Sequence, residues 1–167
     1  MTTRASSSAR QPLVSLAPRQ WRSLMDELGR RGQGTREAGA FLLASLPNSR
    51  RVAHVEYFDD LDPMCLRGNI EIEGHAFSKL WDICEAKKLT VIADVHTHPY
   101  AVVQQSSIDK QNPMIARDGH VALIVPHFAT RRVRPRHVGV HQYCGDGGWA
   151  SWFRRDAARR LSVRRWT

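Results

Sequence analysis

The sequence predicts an α+β domain built on one mixed sheet with two main helices. Helical periodicity appears twice, over residues 18–31 and 75–88, and short apolar stretches of strand length lie between and after them. The order of these segments is helix, two or three strands, helix, strand, loop, then strands, which fits an α+β or α/β layer arrangement. With 167 residues, 42% of them hydrophobic and 25% charged, the chain fits one domain whose core can be stable without staples.

Residues 1–16 are rich in Ser and Arg and poor in apolar side chains, so they read as a disordered arm. Pro18 opens a helix over 18–31 in which Trp21, Leu24, Met25 and Leu28 recur at helical spacing, with Gly29 and Gly32 marking its end. Residues 37–46 are nearly continuously apolar and predict a strand buried on both faces. A second strand covers 51–58 and is broken by "DDLDP", and a short strand covers 68–72. The second helix, 75–88, gathers Phe77, Leu80, Trp81 and Cys84 on one face. A strand at 89–96 follows, then a short helix at 106–111 that Pro113 stops. Strands at 120–126 and 137–143, a hairpin turn at "CGDGG" and a final strand at 149–153 complete the sheet. Residues 156–164 predict a short basic helix. The domain thus spans 17–153, between the arm and a basic C-terminal segment, 154–167.

The formal charge of +9 is crowded toward the ends: Arg19, Arg22, Arg30, Arg31 and Arg36 near the start, and Arg154, Arg155, Arg159, Arg160, Arg164 and Arg165 in the last segment. That distribution reads first as a solvated basic face, then as a surface for an acidic protein; a nucleic-acid partner is the least expected. Cys65, Cys84 and Cys144 are odd in number and irregular in spacing, which predicts free thiols in a reducing compartment. There is no secretory h-region and no apolar run of membrane length, so a soluble cytoplasmic protein is expected.

The chemistry concentrates in "VIADVHTHPYAVVQQSSID". His96 and His98 are two apart on a strand and face the same side, so both imidazoles can reach one point at the strand end. A divalent zinc ion accepts such nitrogens, and a carboxylate as third ligand leaves a position for water, the catalytic rather than the structural arrangement. Taken alone, the pair reads as a polar strand end. Ser106 and Asp109 alone read as a helix cap, since S-x-x-D before a short helix is a capping-box pattern. The two readings are compatible. Asp94 shares the strand face of His96 and His98, as a candidate partner for a histidine N–H or as an exposed strand charge.

Together these residues spell H-x-H-x7-S-x-x-D, with Thr97 between the histidines and Pro99 after them. In that signature the chain resembles the JAB/MPN family of JAMM zinc metallopeptidases, over about residues 15–153, and in particular its minimal bacterial members related to deubiquitinases. The resemblance implies a single domain with a curved mixed sheet between two main helices. It implies one catalytic Zn²⁺ held by His96, His98 and Asp109, with Glu37 as general base and Ser106 stabilising the oxyanion. It further implies an isopeptidase or peptidase cleaving after the C-terminal glycine of a ubiquitin-like protein, with that protein, its conjugates and conjugation enzymes as partners. The chain departs from the family in one place: relatives commonly carry glycine three positions after the glutamate, where this chain has Ala40 beside Gly39. Glu56 is the fallback for the base. Hydrolysis of another amide or a sulfur-carrier conjugate, and a non-catalytic basic scaffold or nucleic-acid binder, are the alternatives.

Overall fold

Six strands form one sheet in the order β3-β2-β4-β5-β6-β7 in the computed structural model, which describes residues 11–45, 49–67 and 70–165. The strands are β2 (Gly39–Ser45), β3 (Val52–Tyr57), β4 (Leu89–Thr97), β5 (Val121–Val125), β6 (Gly139–Tyr143) and β7 (Trp149–Trp152). All neighbours are antiparallel except β4 and β5. A parallel pair needs a crossover, and here it runs from His98 to His120 and carries the short helix α4 (Ser107–Gln111). The sheet is flanked by α1 (Pro18–Gly32) and α3 (Gly74–Lys87), the two main helices. The α+β class with a mixed sheet is therefore observed.

The local reasons are conventional. Pro18 sits at the first helical position of α1, and the Gln20 side chain accepts the Ala17 N–H at 2.9 Å. Trp21, Leu24, Met25 and Leu28 are the buried stripe. Gly29 does not end the helix but lies within it, where a Cβ would come 3.1 Å from the Ala129 carbonyl oxygen. In β2, every side chain from Ala40 to Ala44 is fully buried, as an uninterrupted apolar strand requires. Phe41 of β2 packs against Phe77 of α3 and against Phe58 of α2 (Phe58–Leu61).

Gly39 is held to glycine by contact. A Cβ there would enter the Phe58 ring and approach the Val95 carbonyl oxygen to 2.7 Å. Gly39 also pairs with His96 across β2 and β4. Gly39→Ala is expected to cost about 1–3 kcal/mol by overpacking, read as a lower urea midpoint.

Arg31 joins α1 to α2. Its guanidinium meets Asp59 at 2.6 Å, Asp60 at 2.8 Å and Glu27 at 3.1 Å, and lies 4.1 Å from the Tyr57 ring centroid. The hydrogen bond from Arg30, opposed by slight burial and joined by Arg31, pulls Glu27 down to about 2. A carboxyl depressed on folding stabilises above its unfolded value and loses that contribution as pH falls toward its folded value. The urea midpoints of wild type and Glu27→Gln should therefore differ at pH 6 and converge as pH falls from about 4.5 toward 2.

Several expectations are corrected. Of the expected disordered arm, residues 1–10 lie outside the described residues, but Val14–Leu16 forms a strand, β1, with Val14 and Leu16 fully buried. Its parallel partner is β8 (Leu161–Val163), inside the stretch expected to be helical to 164. The helix there, α5, is Arg154–Arg160; Leu161 is fully buried, and burial of this Leu-Ser-Val run wins over the helical continuation. The strand at 149–153 is thus the sheet edge but not the last strand. In the expected strand at 68–72, residues 68 and 69 lie outside the described residues and 70–72 pair with no strand. Pro135 opens a 3-10 turn, Pro135–His137, which delays β6 to Gly139. No helix among the described residues is long and apolar enough to cross a membrane.

Candidate metal centre

His96 is the penultimate residue of β4, and its side chain is buried. His98 lies just past the strand, yet its N–H still donates to the Val125 carbonyl at 2.8 Å, so the ladder to β5 carries both histidines on one face. Thr97 between them points the other way and is fully buried; its hydroxyl oxygen accepts the Ala38 N–H at 3.0 Å. That bond, with the Thr97 N–H donating to the Ala38 carbonyl at 2.9 Å, ties the residue after Glu37 to the strand of the histidines. Glu37 therefore does not open β2, which begins at Gly39; it stands at the mouth of the strand, half-buried.

Asp109 arrives from α4. Ser106 caps this helix: its Oγ accepts the Asp109 N–H at 3.1 Å, and Asp109 Oδ2 accepts the Ser106 N–H at 2.7 Å. The capping box turns Asp109 toward the histidines. His96 Nε2 lies 3.2 Å from His98 Nε2 and 3.7 Å from Asp109 Oδ1, and His98 Nε2 lies 3.4 Å from Asp109 Oδ2. Ligands about 2 Å from a tetrahedral ion lie about 3.3 Å apart. The three side chains thus meet at the spacing of a coordination triangle, and they form a group able to hold a metal ion. The two imidazole nitrogens stand within hydrogen-bond distance at 3.2 Å, a separation that a proton on one of them or a cation between them satisfies.

The surroundings orient these ligands. His98 Nδ1 donates to the Val102 carbonyl at 3.2 Å, which leaves its Nε2 lone pair for the site. On the His96 side, Nδ1 has no hydrogen-bond partner within reach but faces Asp94 Oδ2 at 3.8 Å. Asp94 is buried rather than an exposed strand charge, and its other oxygen accepts from His120 Nε2 at 2.7 Å. Burial pushes the Asp94 carboxyl up, but the hydrogen bond from His120 and the nearby His96 imidazole outweigh it and hold it below the ordinary range. Burial pushes His96 down, and Asp94, Asp109 and Glu37 together more than reverse that. Asp109 is likewise opposed by burial but held well below the carboxylate range by His98, His96 and Ser106. Glu37 moves up: burial raises it, Asp109 adds to this, and His96 and His98 oppose.

These groups line a cavity of about 290 Å³ with Glu37, Ile70, His96, His98, Pro99, Ser106, Ile108, Asp109 and Met114 in its wall. No lysine or arginine among the described residues lines it, although the chain carries +9. The local sign is reversed: two wall carboxylates, with Asp94 behind, favour a cation. Glu56 does not line this cavity; it accepts from His54 Nε2 at 2.9 Å on β3.

Sequence reasoning missed three contributors. His120 immediately precedes β5 in "HVALIV", beside β4, and an ionisable residue there next to the strand of Asp94 was the available signal. Thr97 gave no signal beyond lying between the histidines. The third is a left-handed turn, His127–Ala129, with φ of 56°, 51° and 56°. Its N–H groups donate to the carbonyls of Tyr100 (from His127, 3.0 Å) and His98 (from Phe128, 2.8 Å), so it grips the chain on leaving the site. Nothing in "PHFAT" announces three left-handed residues, each costing about 1–2 kcal/mol.

No family model matches the sequence. Among solved structures, the chain is similar to a protein from Desulfitobacterium hafniense, with TM-score 0.61 and 14% identity over 90% of this chain and 92% of that one. It is also similar to a protein from Salinibacter ruber, with TM-score 0.58 and 17% identity over 91% and 92%. A JAB1/MPN domain protein from Archaeoglobus fulgidus aligns at TM-score 0.45 and 12% identity over 82% and 93%. The first two likenesses are of fold, and they span nearly the whole architecture described above.

Proposed function

We propose that this chain is a JAMM-type zinc hydrolase that cleaves the amide bond after the C-terminal glycine of a ubiquitin-like protein, as a peptidase or isopeptidase. The observation that carries the reading is the coordination triangle of His96, His98 and Asp109 in a cavity whose wall also contains Glu37 and Ser106. Their N2O donor set suits zinc, and a bound zinc ion would supply Lewis acidity and a more acidic water. Glu37 takes the proton of the attacking water and returns it to the leaving amine; its upward shift brings it nearer neutrality, where an acid–base group works best. The Ser106 hydroxyl accepts from the Asp109 N–H, so its own hydrogen is free to donate to the oxygen of the scissile carbonyl. Asp94 orients His96 from behind. Cytoplasmic action, with Cys65, Cys84 and Cys144 as free thiols, belongs to the same proposal, as does association with conjugation enzymes.

The test is a panel of ubiquitin-like fusions incubated with the zinc-loaded protein, with and without chelator, beside metal analysis. Chelator-sensitive cleavage after the terminal glycine is expected. Cleavage only of a small amide or sulfur-carrier conjugate would move the substrate class, and no cleavage with zinc bound would overturn hydrolysis. His98→Ala and Asp109→Ala are expected to lose stoichiometric zinc; full retention in both would place the metal elsewhere.

A further inference from the structure

The arginines at the chain ends do not form the main basic surface by themselves. The loop between the left-handed turn and β6 adds Arg131, Arg132, Arg134 and Arg136, all exposed. Around this loop lie three recesses that share walls. One, of about 790 Å³, is lined by Arg131, Arg132 and Arg134 with Arg22 of α1. The second, of about 350 Å³, shares Arg131 and Arg132 with the first and reaches Ala101 and Pro126. The third, of about 630 Å³, shares His137 with the second and adds Arg136, with Arg154 and Arg155 of α5. Seven arginines thus meet two aspartates, Asp26 and Asp156, in these walls. Asp156 is already engaged by Arg159 at 2.8 Å. None of the seven arginines has a carboxylate partner among the described residues. His137, in the middle, is lowered by burial and then by Arg136 and Arg134.

We propose that this arginine-lined surface, from Arg22 through Arg131–Arg136 to Arg155, docks an acidic face of a protein partner. A guanidinium presents a planar fork that carboxylates fill in pairs, and recesses between forks suit side-chain carboxylates projecting from a folded surface. A nucleic acid fits less well, because single strands are held by exposed aromatic platforms. Of the Trp, Tyr and Phe side chains lining these recesses, Trp21 is buried, with its indole N–H committed to the Val133 carbonyl at 3.0 Å, and Phe153 packs edge-on against His141; Tyr100, beside Ala101, is exposed but lines none of them. Of the two helices that bring arginines to these walls, α1 contributes Arg22 alone and α5 is seven residues long and packed through Ala157, so neither presents a row of arginines as a groove reader would. The surface also adjoins the metal cavity. Pro99 lines that cavity and Ala101 the second recess, and the turn at 127–129 holds the chain between them. A protein whose tail enters the cavity would lay its body on the arginines, a point that rests on the proposed function; the other arguments do not.

Binding is measured on the metal-free full chain by fluorescence anisotropy, so the outcome is independent of any cleavage assay. The probes are a labelled Glu-Ser repeat peptide, its Gln-Ser counterpart and a single-stranded oligonucleotide of equal net charge. The proteins are wild type, R131E/R132E/R134E, R154E/R155E, and the control R67E/K87E/K88E, whose three residues are exposed and line none of the recesses. The Glu-Ser peptide is expected to bind, to weaken at least tenfold in both surface variants, and to change less than threefold in the control. Equal losses in surface and control variants would reduce the effect to net charge and overturn the proposal. So would absence of peptide binding, or oligonucleotide binding tighter than the peptide and lost in the same surface variants.

Discussion

Glu37→Gln is expected to lower the proposed amide hydrolysis by about 10²–10⁴-fold while the zinc content stays at that of wild type. The magnitude is that of a general acid–base group. The separation of the two readouts follows from the geometry. The coordination triangle is closed by His96, His98 and Asp109 without Glu37, which lines the same cavity from the residue before the Ala38–Thr97 bond. The substitution keeps the size and shape of the side chain and removes only its ability to take a proton. Metal analysis and steady-state cleavage on the same preparation check it. Unchanged cleavage would remove Glu37 from the mechanism, whereas lost zinc would make it a ligand.

The second large effect is on stability. His120 and Asp94 form a 2.7 Å pair with side chains 0% and 2% exposed. Removing one member of a buried pair leaves the other charge uncompensated, a loss of about 3–5 kcal/mol. His120→Leu is expected to lie in that range by urea denaturation of the metal-free protein. Replacing the pair together, as Asp94→Leu with His120→Leu, should recover much of the stability, since apolar replacement of both partners is often neutral. Zinc affinity should not recover with it: without Asp94 behind His96, a drop of about 10–100-fold is expected by chelator competition. Stability and affinity moving together through both variants would mean that the pair acts only as packing.

How far the sequence could be read depends on the range of the signal. The helices α1 and α3 and the strands β2, β4 and β5 come from periodicity within a single segment, and they appear within a residue or two of expectation. The His96, His98, Ser106 and Asp109 spacing was legible because one strand end and one helix cap hold it. What was not legible depends on partners far along the chain. Val14 and Leu16 look like part of a polar arm until Leu161 and Val163 pair with them. Asp94 reads equally as a partner for a histidine or as an exposed strand charge until His120 meets it across β4 and β5. Ala40 beside Gly39 looked like a departure. Packing shows why glycine stands at 39: the Phe58 ring lies against it.

The pairing of β1 with β8 also bears on how the protein is made. Val14, Leu16 and Leu161 are all fully buried, and the two strands form their own small sheet, with β1 tied to the chain beside β3 by the Ser15 N–H, which donates to the Arg50 carbonyl at 2.8 Å. During synthesis the first of these strands precedes β8 by most of the domain, and until residues 161–163 follow it has the single bridge of Ser15 to Arg51 but not its strand partner. The site residues, all between 37 and 120, are synthesised before that closure. Folding of the nascent chain should therefore proceed through the six-stranded sheet with an apolar N-terminal strip still open to water, a state in need of protection against aggregation. The long-range closure between β1 and β8 is expected to follow the sheet, because its contacts have the larger sequence separation.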